Sequence, residues 1–125
     1  MYESAVTSIK RAQKERLFMR EVSSLLARAA MDDSRLNTVF VTRVKLSADK
    51  GSCKIYCYTP EGMDAFEKIL EILKLYKPSI RAALSKTIPG RRTPELFFAF
   101  DQQFEKIERL HQLIDKENLD KKDEQ

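Results

Sequence analysis

Glycine, histidine and cysteine are scarce in this 125-residue chain, which has three glycines, one histidine and two cysteines. Gly51, Gly62 and Gly90 are too far apart to form a GxxG loop, and none builds a nucleophile elbow around a serine. His111 stands alone, so neither a histidine-dependent triad nor a histidine metal site has its partners. Ser23, Ser24 and Ser85 fall in helical stretches with no histidine beside them. Asp32 and Asp33 read as a helix stop rather than a two-carboxylate metal site. Cys53 and Cys57 sit four apart in a strand-like segment. That spacing separates them by about 13 Å at a strand's rise, well beyond the roughly 7 Å a disulfide tolerates. They are expected to be reduced core residues, because a CxxxC metal pair would lack further ligands. No apolar run approaches the roughly 18 residues of a membrane span. The segment MYESAVTSIKRAQK lacks the apolar core of a signal peptide. These absences lead to the expectation of a soluble cytoplasmic monomer with no cofactor, metal, membrane or small-molecule substrate, and no enzymatic site.

What the chain has in quantity is charge. Lys plus Arg is 23 and Asp plus Glu is 19, giving a net charge of +4. The last eleven residues, DKENLDKKDEQ, carry −2, so residues 1–114 carry +6. A basic balance of this kind suits a polyanionic partner. Residues 115–125 read as a polar, disordered tail after a single domain over 1–114.

Periodicity divides that domain. Phe18, Val22, Leu25, Leu26 and Ala29 form one apolar stripe and predict a helix over 8–30, stopped by MDDS. RLNTVFVTRVKLS and CKIYCYT read as strands joined by the turn SADKGS, an antiparallel hairpin. Strict alternation puts Phe40, Thr42, Val44 and Leu46 on one face of the first strand, and Val39, Val41, Arg43 and Lys45 on the other. In the second, Cys53, Ile55 and Cys57 oppose Lys54, Tyr56 and Tyr58. A helix follows from Glu61 to Leu75. Pro78 predicts a kink or restart, because proline lacks the backbone donor and clashes with the preceding turn. Ile80, Leu84 and Ile88 carry the helical stripe onward. TPELFFAF is the third strand, and Phe104, Ile107, Leu110 and Ile114 suggest a last helix over an edge of the core. The expected class is α+β, a three-stranded sheet with helices on one face. The order α-β-β-α-kink-α-β is also that of a KH domain of the prokaryotic type, here without its GxxG loop.

The basic residues are the candidates for function. Between Glu71 and Arg92 stand Lys74, Lys77, Arg81, Lys86, Arg91 and Arg92 against one acid, Glu71. At 100° per residue Lys74, Lys77 and Arg81 share a side opposite the apolar stripe. Such clusters pair with phosphates, arginine through a bidentate fork; a solvated helix face is the alternative. A second candidate group is Arg43 and Lys45 on the first strand, with Arg35 near it. Tyr56 and Tyr58 either stack bases or pack as cross-strand neighbours. Asp101 is expected to cap the last helix.

Several segments, in order, resemble ribosome-binding factor A: REVSSLL (20–26), DDSRL (32–36), VTRVKLSADKGSCKIY (41–56), SIRAALSK (79–86) and RRTPELFFAFD (91–101). The most specific is Arg92-x-Pro94-Glu95-Leu96-x-Phe98-x-x-Asp101, and the next is Asp33-x-Arg35-Leu36. The resemblance runs from about Arg20 to Ile114. It implies a KH-like fold without GxxG and a non-enzymatic factor acting on the immature 30S ribosomal subunit and its 16S rRNA. It further implies support for processing of the precursor 5′ end, most needed in the cold. Where the family has an Ala-x-Gly kink, this chain has Tyr76-Lys77-Pro78. Proline can bend a helix there but lacks glycine's freedom and its N–H. Two other readings fit the residues: a general single-stranded-RNA KH module, and a protein-docking domain using Tyr56, Tyr58 and Phe97.

Overall fold

The computed structural model describes residues 5–90 and 92–123. Helix α1 (Ala5–Asp32) buries Phe18, Val22 and Leu26 along one stripe, with Leu25 and Ala29 at its margin. Asp33 ends it. Its N–H still reaches the Ala29 carbonyl at 2.9 Å. Its carboxylate turns to cap the 3-10 turn Ser34–Leu36, accepting from the Arg35 N–H at 3.1 Å.

Strands β1 (Phe40–Leu46) and β2 (Ser52–Tyr58) form the antiparallel hairpin. The Asp49 carboxylate builds the turn, accepting from the Ser47 hydroxyl at 2.7 Å and the Gly51 N–H at 2.9 Å. Strand β3 (Glu95–Phe100) runs parallel to β2, so the sheet order is β1-β2-β3. A parallel neighbour needs a long crossover, and helix α2 (Met63–Thr87) supplies it. α2 starts two residues after the expected Glu61 because Gly62 stands before it at φ 94°, a left-handed conformation that favours glycine.

α1 packs over β1 and α2 over β3. Between helices and sheet lie the buried Cys53, Ile55, Cys57, Leu96 and Phe100. From α2, Phe66, Ile69, Leu73, Ile80 and Leu84 complete the core. The α+β class and the one-sided helical layer agree with the sequence. Both cysteines are free, and burial pushes each thiol up to about 12, helped by the Glu15 charge near Cys53 and the Asp101 charge near Cys57.

Three details depart from the pattern read above. First, alternation breaks in β1. The pairing register skips a residue between Val41 and Arg43, leaving Thr42 as the extra residue of a β-bulge. Val41 therefore faces the core with Val44 and Leu46, while Phe40 is left exposed. Second, α2 does not restart at Pro78. It runs unbroken from Met63 to Thr87. Pro78 is exposed, and buried residues of the same helix lie on both sides of it. Third, among its described side chains the last helix, α3 (Gln102–Asp123), touches the core only at its first turn, through Phe104. Phe104 lies against Tyr58 (4.8 Å between ring centroids) and Phe40 (5.7 Å). Ile107, Leu110 and Ile114, expected to cover the core, are exposed. α3 also continues to Asp123 through the segment expected to be a disordered tail.

Candidate RNA-binding surface

The candidate cations separate into three groups. The first surrounds the start of β3. Lys74 pairs with Glu71 at 3.1 Å on the helix surface. Lys77 and Arg81 converge on Glu95, at 3.3 and 3.7 Å. Arg81 also donates to the Thr93 carbonyl at 3.0 Å and the Pro94 carbonyl at 3.3 Å. The guanidinium thus ties α2 to the chain entering β3, and part of its charge is met within the molecule. The second group lies at the other end of that connection. Lys86 is exposed on the last turn of α2, and Arg92 is exposed against the β1–β2 turn. A side chain at Gly51 would stand 3.0 Å from the Arg92 guanidinium, whose charge helps the Ser47 and Gly51 hydrogen bonds hold the Asp49 carboxyl low. Arg91 lies outside the described residues.

The third group occupies the sheet face away from the helices. Arg43 and Lys45 project there from β1. The pairing places Tyr56 opposite Arg43 and Lys54 opposite Lys45. The Arg43 guanidinium lies 3.9 Å from the Tyr56 ring centroid, and the Lys54 ammonium 5.0 Å from it. Phe97 on β3 is half exposed, with the Lys77 ammonium 5.1 Å from its ring. Lys106, the fifth residue of α3, reaches the same cleft as Arg43, Lys54 and Tyr56. Lys45 and Lys54 are like charges directly opposite one another, an arrangement that costs stability unless an anion lies over it. Among the described residues Lys45 has no ion pair.

Asp101 anchors this face from beneath. It is 3% exposed. Its carboxylate accepts from the Thr42 hydroxyl at 2.7 Å and caps α3 through the Phe104 N–H at 3.0 Å, as the sequence predicts. Arg43 closes on it at 3.3 Å. Burial pushes this carboxyl up. The Thr42 and Phe104 hydrogen bonds and the Arg43 charge together outweigh that push and leave it below the ordinary carboxylate range. The bulge at Thr42 is what lets the Thr42 hydroxyl reach Asp101 while Arg43 stays on the outer face.

Tyr58, one of the two candidate stacking residues, is buried at the β1 end of the sheet, with Phe100 stacked on it at 5.8 Å. Of the two, only Tyr56 lies on the open face, half-buried beneath Arg43. Arg35 belongs to a different corner. It forks onto Asp33 with contacts of 2.8 and 2.6 Å. Those bonds hold the Asp33 carboxyl down at about 2. Tyr76 reaches the same carboxylate at 3.5 Å. The triplet Tyr76-Lys77-Pro78 therefore links α2 to the Asp33 corner and to Glu95 of β3.

Lys54, Lys106 and Phe97 were not among the candidate RNA contacts. Strand alternation already placed Lys54 and Tyr56 away from the cysteines, and hairpin pairing would have set Lys54 against Lys45. Lys106 follows from the cap at Asp101, which fixes where the first turn of α3 lies. Among the described residues no three His, Cys, Asp or Glu side chains come together as a metal site. No described helix is long and apolar enough to cross a membrane.

Residues 10–114 match the family model described as ribosome-binding factor A. This chain belongs to the ribosome-binding factor A family. It is 35% identical over 119 residues to the ribosome-binding factor A of Coprothermobacter proteolyticus, covering 93% of this chain and 84% of that one. The corresponding protein of Ruthia magnifica is 35% identical over 111 residues, covering 88% and 96%. The crystal structure of ribosome-binding factor A from Thermus thermophilus superposes with a TM-score of 0.62 at 26% identity, covering 72% of this chain and 93% of that one. A solution structure from Thermotoga maritima, at 23% identity and a TM-score of 0.56, shares the fold, covering 70% and 87%. The match takes in all three basic groups and ends at Ile114, within α3.

Proposed function

We propose that this chain is a non-enzymatic assembly factor that binds the small ribosomal subunit and its 16S rRNA in the cytoplasm. It does so as a monomer, through the outer face of its sheet. Family membership supports the ribosomal partner. The observation that carries the RNA-facing assignment is the face itself, where Arg43, Lys45, Lys54 and Lys106 surround Tyr56 while Asp101 is already engaged by Arg43, and Glu95 by Lys77 and Arg81. Exposed cations bind phosphate, and an accessible ring takes a base, so this mixture suits folded RNA with unpaired positions. Lys86 and Arg92 extend the basic surface at the far end. From the family resemblance, the particle bound is the free, immature 30S subunit, and binding supports processing of the 16S precursor at its 5′ end, most needed in the cold. The protein-docking alternative loses Tyr58, which is buried.

Sedimentation with purified small subunits, large subunits and whole ribosomes at two salt concentrations tests this reading. Pelleting is expected with free small subunits. About four phosphate contacts would weaken it roughly 50- to 150-fold between about 50 and 200 mM salt. Equal pelleting at both salts would remove the electrostatic basis. No pelleting with any particle would remove the ribosomal one.

A further inference from the structure

The sheet face is not uniformly flat. Beside Tyr56, the cross-strand neighbour on β3 is Ala99, the smallest side chain on that face. On the other side is Arg43, its guanidinium already stacked on the ring. The missing bulk at Ala99 leaves an open cleft of about 400 Å³ bordered by Arg43, Lys54, Tyr56 and the first turn of α3. Gln102, Gln103 and Lys106 form the α3 wall, and all three are exposed.

Resting on the RNA-binding reading above, we propose that this cleft receives one unpaired nucleotide, its base lying over Ala99 against the Tyr56–Arg43 stack. Three features fit that occupant better than a continuous duplex or a peptide. The platform is prebuilt: Arg43 is fixed by a carboxylate that is itself buried and hydrogen-bonded by Thr42. A fixed planar cation resting on a ring presents the kind of surface on which bases stack. The walls carry carboxamides, each with a donor and an acceptor, suited to a base edge rather than to an apolar side chain. The rim carries Lys54 and Lys106, with Lys45 next along the face, placed to take the flanking phosphates. A paired base cannot enter, because its edge and both faces are already engaged within the helix. The cleft therefore selects RNA with a base out of the stack, and it accounts for a small residue at position 99 between larger neighbours.

The test uses the full chain and two RNA hairpins that differ only in whether a 2-aminopurine is bulged or paired. The wild-type chain is expected to bind the bulged hairpin about tenfold more tightly, the scale of one base stack, and to change its 2-aminopurine emission. Ala99→Leu fills the cleft without altering charge and should abolish both the preference and the emission change while leaving affinity for the paired hairpin unchanged. Arg43→Lys keeps the charge near Asp101 but removes the planar group, and should lose the preference as well. The double variant Lys54→Gln with Lys106→Gln should weaken both hairpins equally and lower the salt slope by about one to two. Circular dichroism and melting of each variant separate loss of the cleft from loss of the fold. Equal wild-type affinity for the two hairpins, or a preference that survives in a folded Ala99→Leu chain, overturns the proposal. If that happens while small subunits still pellet, the nucleotide cleft fails and the RNA-binding reading stands. If the subunits do not pellet either, that reading fails first.

Discussion

Arg81 illustrates how one residue type divides its work. On the helical wheel it looks like its neighbours Lys74 and Lys77, a cation available to phosphate. In the fold its guanidinium donates to two carbonyls at the entry to β3 and faces Glu95. Hydrogen bonds from a charged donor to carbonyls contribute more than neutral ones. Arg81→Ala is therefore expected to lower unfolding stability by about 1–2 kcal/mol in urea, while Lys86→Ala, exposed and with no ion pair among the described residues, changes it by less than about 0.5 kcal/mol. Equal small losses in the two variants would show that the Arg81 bonds do not hold β3. Asp33 makes a second prediction at this scale. Its carboxyl titrates at about 2 in the folded chain and near 3.9 when unfolded. A depressed folded value stabilises the protein above the unfolded value, and that contribution disappears as pH falls from about 4 to about 2. Denaturation midpoints followed across that window should fall less steeply for Asp33→Asn than for the wild type. Parallel curves would mean that the Arg35 fork contributes nothing to stability.

At the scale of elements, α2 is the informative case. A proline in a helix interior removes one hydrogen bond and costs on the order of 3 kcal/mol relative to alanine. Pro78 nevertheless lies within an unbroken helix, because Ile72 and Leu73 before it and Ile80 and Leu84 after it are buried in the same core. Tertiary packing outweighs local propensity there. Pro78 itself is exposed, so Pro78→Ala should restore the N–H to the Lys74 carbonyl without disturbing the core. Thermal melting is expected to show a gain of about 1–3 kcal/mol. A loss instead would mean that the proline sets a bend that Tyr76 and Lys77 need in order to reach Asp33 and Glu95. α3 shows the opposite balance. Its cap and Phe104 are well held, but Ile107, Leu110 and Ile114 have no core to enter. Their spacing predicted a helix correctly and a buried one wrongly. Amphipathic spacing reports that a face is apolar, not what covers it.

For the whole molecule, the division of labour follows the two faces of the sheet. One face is closed by α1 and α2 and holds the apolar residues. The other is left open and holds cations, Tyr56 and Phe97. The +6 over residues 1–114 is thus not a diffuse property. Part of it is neutralised around Glu95, part surrounds the β1–β2 turn, and part lines the open face. The salt dependence expected in sedimentation belongs to this last scale, since it counts phosphates met by the whole surface rather than by one side chain.

The residues alone determined the α+β class, the hairpin, the third strand after the long helix, the reduced cysteines and the cap at Asp101. Each of these rests on local periodicity or on a side chain bonding its own neighbourhood. They also pointed to arginine and lysine as the functional residues. Only tertiary structure decided which of those cations are engaged and which are open. The Thr42 bulge shifts half of β1 to the other face, and Glu95 draws Lys77 and Arg81 inward. Parallel pairing brings Ala99 beside Tyr56, and the start of α3 carries Lys106 to the same cleft. Those relations join residues of different elements, 14 or more positions apart, and neither helical nor strand periodicity extends from one element to another.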